Sequence, residues 1–184
     1  METKLLYQPL DKVEADALVC VLYEGDSSPA ELKFAAAWIE ELKNSGEFSG
    51  KGEELATLYQ PQGWRAKRLV VVGGGKRDKF DARKCAGAAV RVLKEKGVKR
   101  LAWALLGADA EAIVEGALAG NYEPDHLKTS DQGKSLEAFH VVAAANGAEI
   151  DKAFERGVIL ADSQNFARDL ANEPANRMTP SMLA

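Results

Sequence analysis

Arg68-Leu69-Val70-Val71-Val72-Gly73-Gly74-Gly75, then Asp81-Ala82-Arg83-Lys84-Cys85-Ala86-Gly87-Ala88-Ala89-Val90-Arg91-Val92-Leu93, then Leu101-Ala102-Trp103-Ala104-Leu105-Leu106, together decide the fold. A short apolar run closed by glycines is the pattern of a buried strand. Asp81 opens a helix on which Ala82, Ala86, Ala89, Val90 and Leu93 share one face. Lys94 and Lys96 suit its negative end, and Gly97 stops it. The second apolar run is the next strand. Strand, helix and strand of these lengths form a parallel crossover.

The same grammar extends in both directions. Residues 15–23 are nearly all apolar and read as a buried strand. Ser28-Pro29-Ala30-Glu31 predicts a helix start with a capping box, followed by Leu32, Ala35, Ala36, Ile39 and Leu42 on one face and a stop at Asn44-Ser45-Gly46. Residues 54–59 read as another strand. Beyond the crossover, a helix over 109–118 ends at Gly120, a polar loop spans 121–135, and residues 136–144 return to strand. Asn146, with Glu149 three residues on, predicts the cap of a last helix running to about residue 171. It carries two apolar rows, Phe154, Val158 and Ala161, and Ile159, Phe166 and Leu170. So wide an apolar face packs against more than one neighbour. The expected fold is α/β, three layers, with a mixed, mainly parallel sheet and helices on both faces.

At 184 residues the chain can bury one core of ordinary size. No apolar run approaches the ~20 residues that cross a bilayer, and Met1-Glu2-Thr3-Lys4-Leu5-Leu6 lacks the pattern of a signal peptide. A cytoplasmic protein without membrane partners is expected, with Cys20 and Cys85 as free thiols. The net charge of −4 hides an asymmetry. Residues 65–100 hold thirteen Lys or Arg against Asp78, Asp81 and Glu95, a balance of +10, leaving −14 on the remainder.

Familiar active-site patterns fail one by one. Gly73-Gly74-Gly75-Lys76 is not a phosphate loop, because Arg77 stands where a hydroxyl should meet magnesium and no glycine lies five residues before Gly75. Asp78 breaks the dinucleotide glycine spacing. His126, in a polar loop, and His140, in a strand, form no ligand pair, and no nucleophile elbow is present. No catalytic, cofactor-binding or metal-ligating residue is assigned.

The last third carries a more specific signal. Gly157-Val158-Ile159-Leu160-Ala161 and Asn165-Phe166-Ala167-Arg168-Asp169-Leu170 run into Asn172-Glu173-Pro174-Ala175-Asn176-Arg177-Met178-Thr179-Pro180. Pro174 and Pro180 end the helix and turn the chain extended, and Asn172 and Asn176 can bond backbone groups freed there. This stretch resembles the domain junction of the leucyl aminopeptidase family, matching it at Arg168, Leu170, Asn172, Pro174, Asn176, Thr179 and Pro180. Glu115-Gly116 through Leu118 and Tyr122 to Lys128-Thr129-Ser130 is similar to a second family stretch, departing from it at Glu123-Pro124.

The resemblance implies a two-domain, homohexameric, metal-dependent exopeptidase acting on peptides. Its N-terminal half resembles a macro domain and serves assembly and access. Residues 1–146 then form the N-terminal non-catalytic α/β domain, 147–171 a long connecting helix, and 172–184 the start of the catalytic domain. Two divalent metal ions, zinc or manganese, are expected in the catalytic part and none in these residues, so the chain alone is expected to be inactive. Two other readings exist: a nucleic-acid-binding module using residues 65–100, and a nucleotide or ADP-ribose pocket suggested by the macro-like fold alone.

Overall fold

Six consecutive buried side chains, from Ala17 to Leu22, belong to a strand with both faces covered. A computed structural model describes residues 1–124 and 134–174. It contains β1 (Glu2–Tyr7), β2 (Ala17–Leu22), α1 (Ala36–Ser45), β3 (Leu55–Tyr59), β4 (Arg68–Gly73), α2 (Ala82–Glu95), β5 (Arg100–Ala104), α3 (Ala110–Asn121), β6 (Ala138–Ala143) and α4 (Ala148–Asn172). The strands form one sheet in the order β1-β6-β5-β2-β4-β3. All pairings are parallel except β3 with β4. The expected three-layer, mainly parallel α/β architecture is what forms.

Strand alternation splits the core in two. Val19, Val21, Val70, Val72 and Trp103 face α2 and α3. Leu18, Cys20, Leu22, Leu69 and Val71 face Ile39 and Leu42 of α1, together with Phe48. The glycine turn after β4 has a packing cause as well as a conformational one. A Cβ on Gly73 would stand 1.8 Å from the Lys51 carbonyl oxygen, so no other residue fits where that loop crosses.

Three local expectations need correction. The capping box at Ser28 does not form: a 3-10 turn over Ala30–Ala35 starts after Pro29, without a side-chain cap. Leu32 leaves helical geometry at φ −106°, ψ 20°, and α1 begins only at Ala36. The kink lets Leu32 and Ala35 enter the same core as Ile39 and Leu42. The cap of α4 is Gly147, not Asn146, and it makes no side-chain bond. Tyr7 fixes that end instead, its hydroxyl donating to Asp151 Oδ1 at 2.6 Å. Finally, β1 is a strand that the sequence pattern leaves unassigned. It pairs with β6, more than 130 residues away, along Glu2↔Ala138 to Tyr7↔Ala143.

Candidate functional site

α2, α3 and α4 lie side by side on one face of the sheet, and α3 is the middle member. Its seam with α2 is built from glycines. A Cβ on Gly116 would lie 2.1 Å from the Arg83 carbonyl oxygen, and one on Gly120 would lie 2.6 Å from that of Gly87. Each end of the seam carries an ion pair. Arg83 meets Glu115, which is 2% exposed, at 2.8 Å. Lys94, 4% exposed, donates to the Gly120 carbonyl at 3.0 Å and pairs with Glu123. The charge at Glu123, where the resemblance falters, thus neutralises a buried lysine.

The α3–α4 seam converges on Tyr122. Gly157 lets α4 approach the Glu111 backbone, and Arg156 Nη1 donates to Glu111 Oε2 at 3.2 Å. Asn165 Nδ2 reaches the Leu118 carbonyl at 3.5 Å. At the far end the Tyr122 hydroxyl donates to Asp169 Oδ1 at 2.9 Å and accepts from Asn172 Nδ2 at 3.1 Å. The Arg168 guanidinium sits 5.5 Å from the Tyr122 ring centre. Desolvation first, and then the Asp169 carboxylate, raise the Tyr122 pKa above its ordinary 10.0. Arg168 and Asn172 of the junction motif, with Asp169 between them, therefore clasp one tyrosine. Asn172 bonds a side chain rather than the expected backbone group. Tyr122 has no role in the sequence reading, although it stands in the second family-like stretch. Asn176, Thr179 and Pro180 lie outside the described residues, as does His126.

Among the described residues nothing covers the opposite face of α4. Phe154, Val158 and Ala161 pack into the core, whereas Ile159 is 66% exposed, Phe166 63% and Leu160 38%. Ile159 and Phe166, seven residues apart, share one helix face with the half-buried Leu170. The two rows predicted from the sequence thus have different fates: one packs against the core, and the other leaves Ile159 and Phe166 exposed.

Elsewhere the chemistry is quiet. Burial pushes the Cys85 thiol up to about 12 and raises Cys20 further, so both hold their protons. Burial lowers the His140 pKa, countered by Glu2, whose Oε2 stands 3.9 Å from Nε2. Among the described residues no group of three or more His, Cys, Asp or Glu could hold a metal ion, and no helix is long and apolar enough to cross a membrane. Seven of the thirteen cations of the basic segment are drawn into ion pairs. Arg65, Lys67, Arg77, Arg83, Lys84, Lys94 and Lys99 pair with Glu14, Asp16, Asp26, Glu115, Glu53, Glu123 and Glu137, all acids from outside it.

Comparison with known proteins gives this framework a lineage. Residues 18–131, from β2 past the end of α3, match the model of the cytosol aminopeptidase family, N-terminal domain. The chain belongs to this family. A probable cytosol aminopeptidase of Solibacter usitatus is 45% identical over the whole chain, which covers 38% of that protein. One from Koribacter versatilis is 36% identical across 94% of the chain and 40% of its own length. Among solved structures, a mutant tomato leucine aminopeptidase superposes with a TM-score of 0.79 at 20% identity, covering all of this chain and 40% of that one. The bottromycin maturation enzyme in complex with Mn follows at 0.67 and 24%, covering 91% and 34%. These two show the shared fold. The chain spans about two fifths of the length of the curated relatives it matches. The family model stops before α4, yet the Solibacter protein aligns through it.

Proposed function

We propose that this chain is the non-catalytic N-terminal part of a metal-dependent aminopeptidase that removes N-terminal residues from peptides in the cytoplasm. On this reading residues 1–146 form the N-terminal domain, 147–171 the connecting helix, and 172–184 the entry to a catalytic domain. That domain is the chain's principal partner, within a homohexamer. The observation that carries the reading is the bare row of α4, where Ile159 and Phe166 stand exposed beside a junction motif clasped onto Tyr122. An apolar row of this kind, continuous with the exit of the chain, fits a domain that packs against it. The shared names of the relatives support an aminopeptidase as the whole protein.

Two divalent ions, zinc or manganese, would belong to the catalytic domain. The described residues of this chain offer them no ligand set, so no chemical step is assigned to these side chains. The dispersal of the basic segment into ion pairs weighs against a nucleic-acid module, and nothing favours a nucleotide pocket over the glycine packing seen at Gly73. The test is release of leucine from a leucyl-amide substrate by the purified chain with manganese or zinc added. No release above buffer is expected; metal-dependent turnover by these residues alone would end the proposal.

A further inference from the structure

Beside α2 there is space that the core does not fill. A half-open cavity of about 400 Å³ lies where the chain leaves β4 and enters α2. Leu55 and Val72 line it from the sheet, and Ala88, Ala89 and Val92 from the helix. The two alanines leave room that larger side chains would take. Val92 is 43% exposed and lies outside the core cluster, so packing within the chain does not use it. Phe80 also borders the cavity, its ring held edge-on against Tyr23 with centroids 5.1 Å apart. The volume falls within the roughly 300–1,000 Å³ of small-molecule sites.

The position is one where α/β sheets gather ligands. β2 sends the chain to α1 on one face of the sheet, and the adjacent β4 sends it to α2 on the other. Ligands collect at the carboxyl ends of strands whose connections diverge in this way. Gly73 and Gly74, at the carboxyl end of β4, are part of the cavity wall.

The charges at the mouth leave one cation over. Lys84 pairs with Glu53 at 3.0 Å. Asp81 accepts from Lys84 N at 2.9 Å, so its charge offsets the positive end of α2. Lys79 lines the same cavity, and its ammonium group has no ion pair or hydrogen bond among the described residues. Glu53 and Asp81 both line it too, so the cavity suits one negative charge and not a polyphosphate.

We propose that this cavity binds a small monocarboxylate with an aliphatic or aromatic body. The body lies against Leu55, Val72, Ala89 and Val92, and the carboxylate meets Lys79. Cys85, half-buried in the wall, is placed to report occupancy. This site is independent of the role proposed for α4.

Calorimetry of the purified chain with 3-phenylpropionate and with hexanoate tests it, alongside alkylation of Cys85 by N-ethylmaleimide followed by peptide mass. Saturable one-to-one binding of at least one acid is expected, with a dissociation constant below about 1 mM. With that acid at ten times the constant, Cys85 should alkylate about tenfold more slowly. Lys79→Gln should weaken binding about threefold, and so should replacing the acid by its neutral amide. Ala88→Leu, which fills the cavity, should abolish binding. Should that variant fail to fold, Val92→Ser at its exposed position carries the same arm, with a loss of about threefold. Absence of saturable binding by either acid up to about 10 mM overturns the proposal. So does binding that persists in the wall variant, that ignores Lys79→Gln or the charge of the ligand, or that leaves Cys85 as reactive as before.

Discussion

α3 has a helix on each side, whereas α4 has one on a single side, and the two helices are made differently to suit. α3 is small and tight: Gly116 and Gly120 bring its backbone to within a Cβ's width of α2, and Gly157 does the same from α4. Its polar groups are drawn inward and paired, as with Glu115 and Arg83. α4 spreads large apolar side chains over two faces, and the described residues pack against only one of them. Helices closed on both flanks invest in backbone proximity. A helix left open on one flank invests in side-chain area that something else can cover.

The sharpest way to break that contrast is to put a methyl group into the closed seam. In Gly116→Ala the new Cβ meets the Arg83 carbonyl, a backbone atom that cannot swing aside, so α2 and α3 must separate. Overpacking of this kind should cost about 3 kcal/mol. Urea unfolding should show it as a lower midpoint with an unchanged slope. An unaltered midpoint would mean that the seam is soft and the contrast with α4 has no energetic content.

An intermediate effect is expected where the closed and open parts join. Tyr122→Phe keeps the ring under Arg168 but removes the hydroxyl that bonds Asp169 and Asn172. The loss should be about 1 kcal/mol, concentrated in the last turns of α4. Amide exchange should speed there while the β2 amides keep their protection. Uniform acceleration across both would show that Tyr122 supports the whole core rather than the junction.

Much of this was legible in the sequence because the informative segments are locally complete. The run Arg68–Gly73, the Asp81 cap and the apolar face through Leu93 each state their structure within a few residues, and Asp81 does accept from Lys84 N at 2.9 Å. β1 was not legible because its stability lies in β6 at the far end of the chain, and its alternation is blurred by Leu5 and Leu6. Ser28 and Asn146 carry good caps by type, yet tertiary packing moves each helix start past them, to Ala36 and to Ala148. Of the candidate site, the two rows of α4 could be read from spacing alone. The seam could have been suspected from Gly116 and Gly120, four residues apart on one helix. The clasp on Tyr122 could not, because it joins residues 47 and 50 positions apart.

The smallest expected change on the isolated chain is also the one that isolates the open face. Ile159→Ser with Phe166→Ser removes apolar area that is already in water, so the folded chain loses almost nothing it had. Stability should move by no more than about 0.5 kcal/mol, while binding of a hydrophobic dye should fall and solubility rise. The same pair of substitutions in the inner row, at Val158 and Ala161, would place one hydroxyl in the core and one at its edge and should destabilise the chain by clearly more. Two rows of one helix, indistinguishable by composition, would then differ only in what covers them. If the outer pair instead cost as much as the inner one, α4 would already be satisfied on both faces, and the space reserved for a docked domain would be gone.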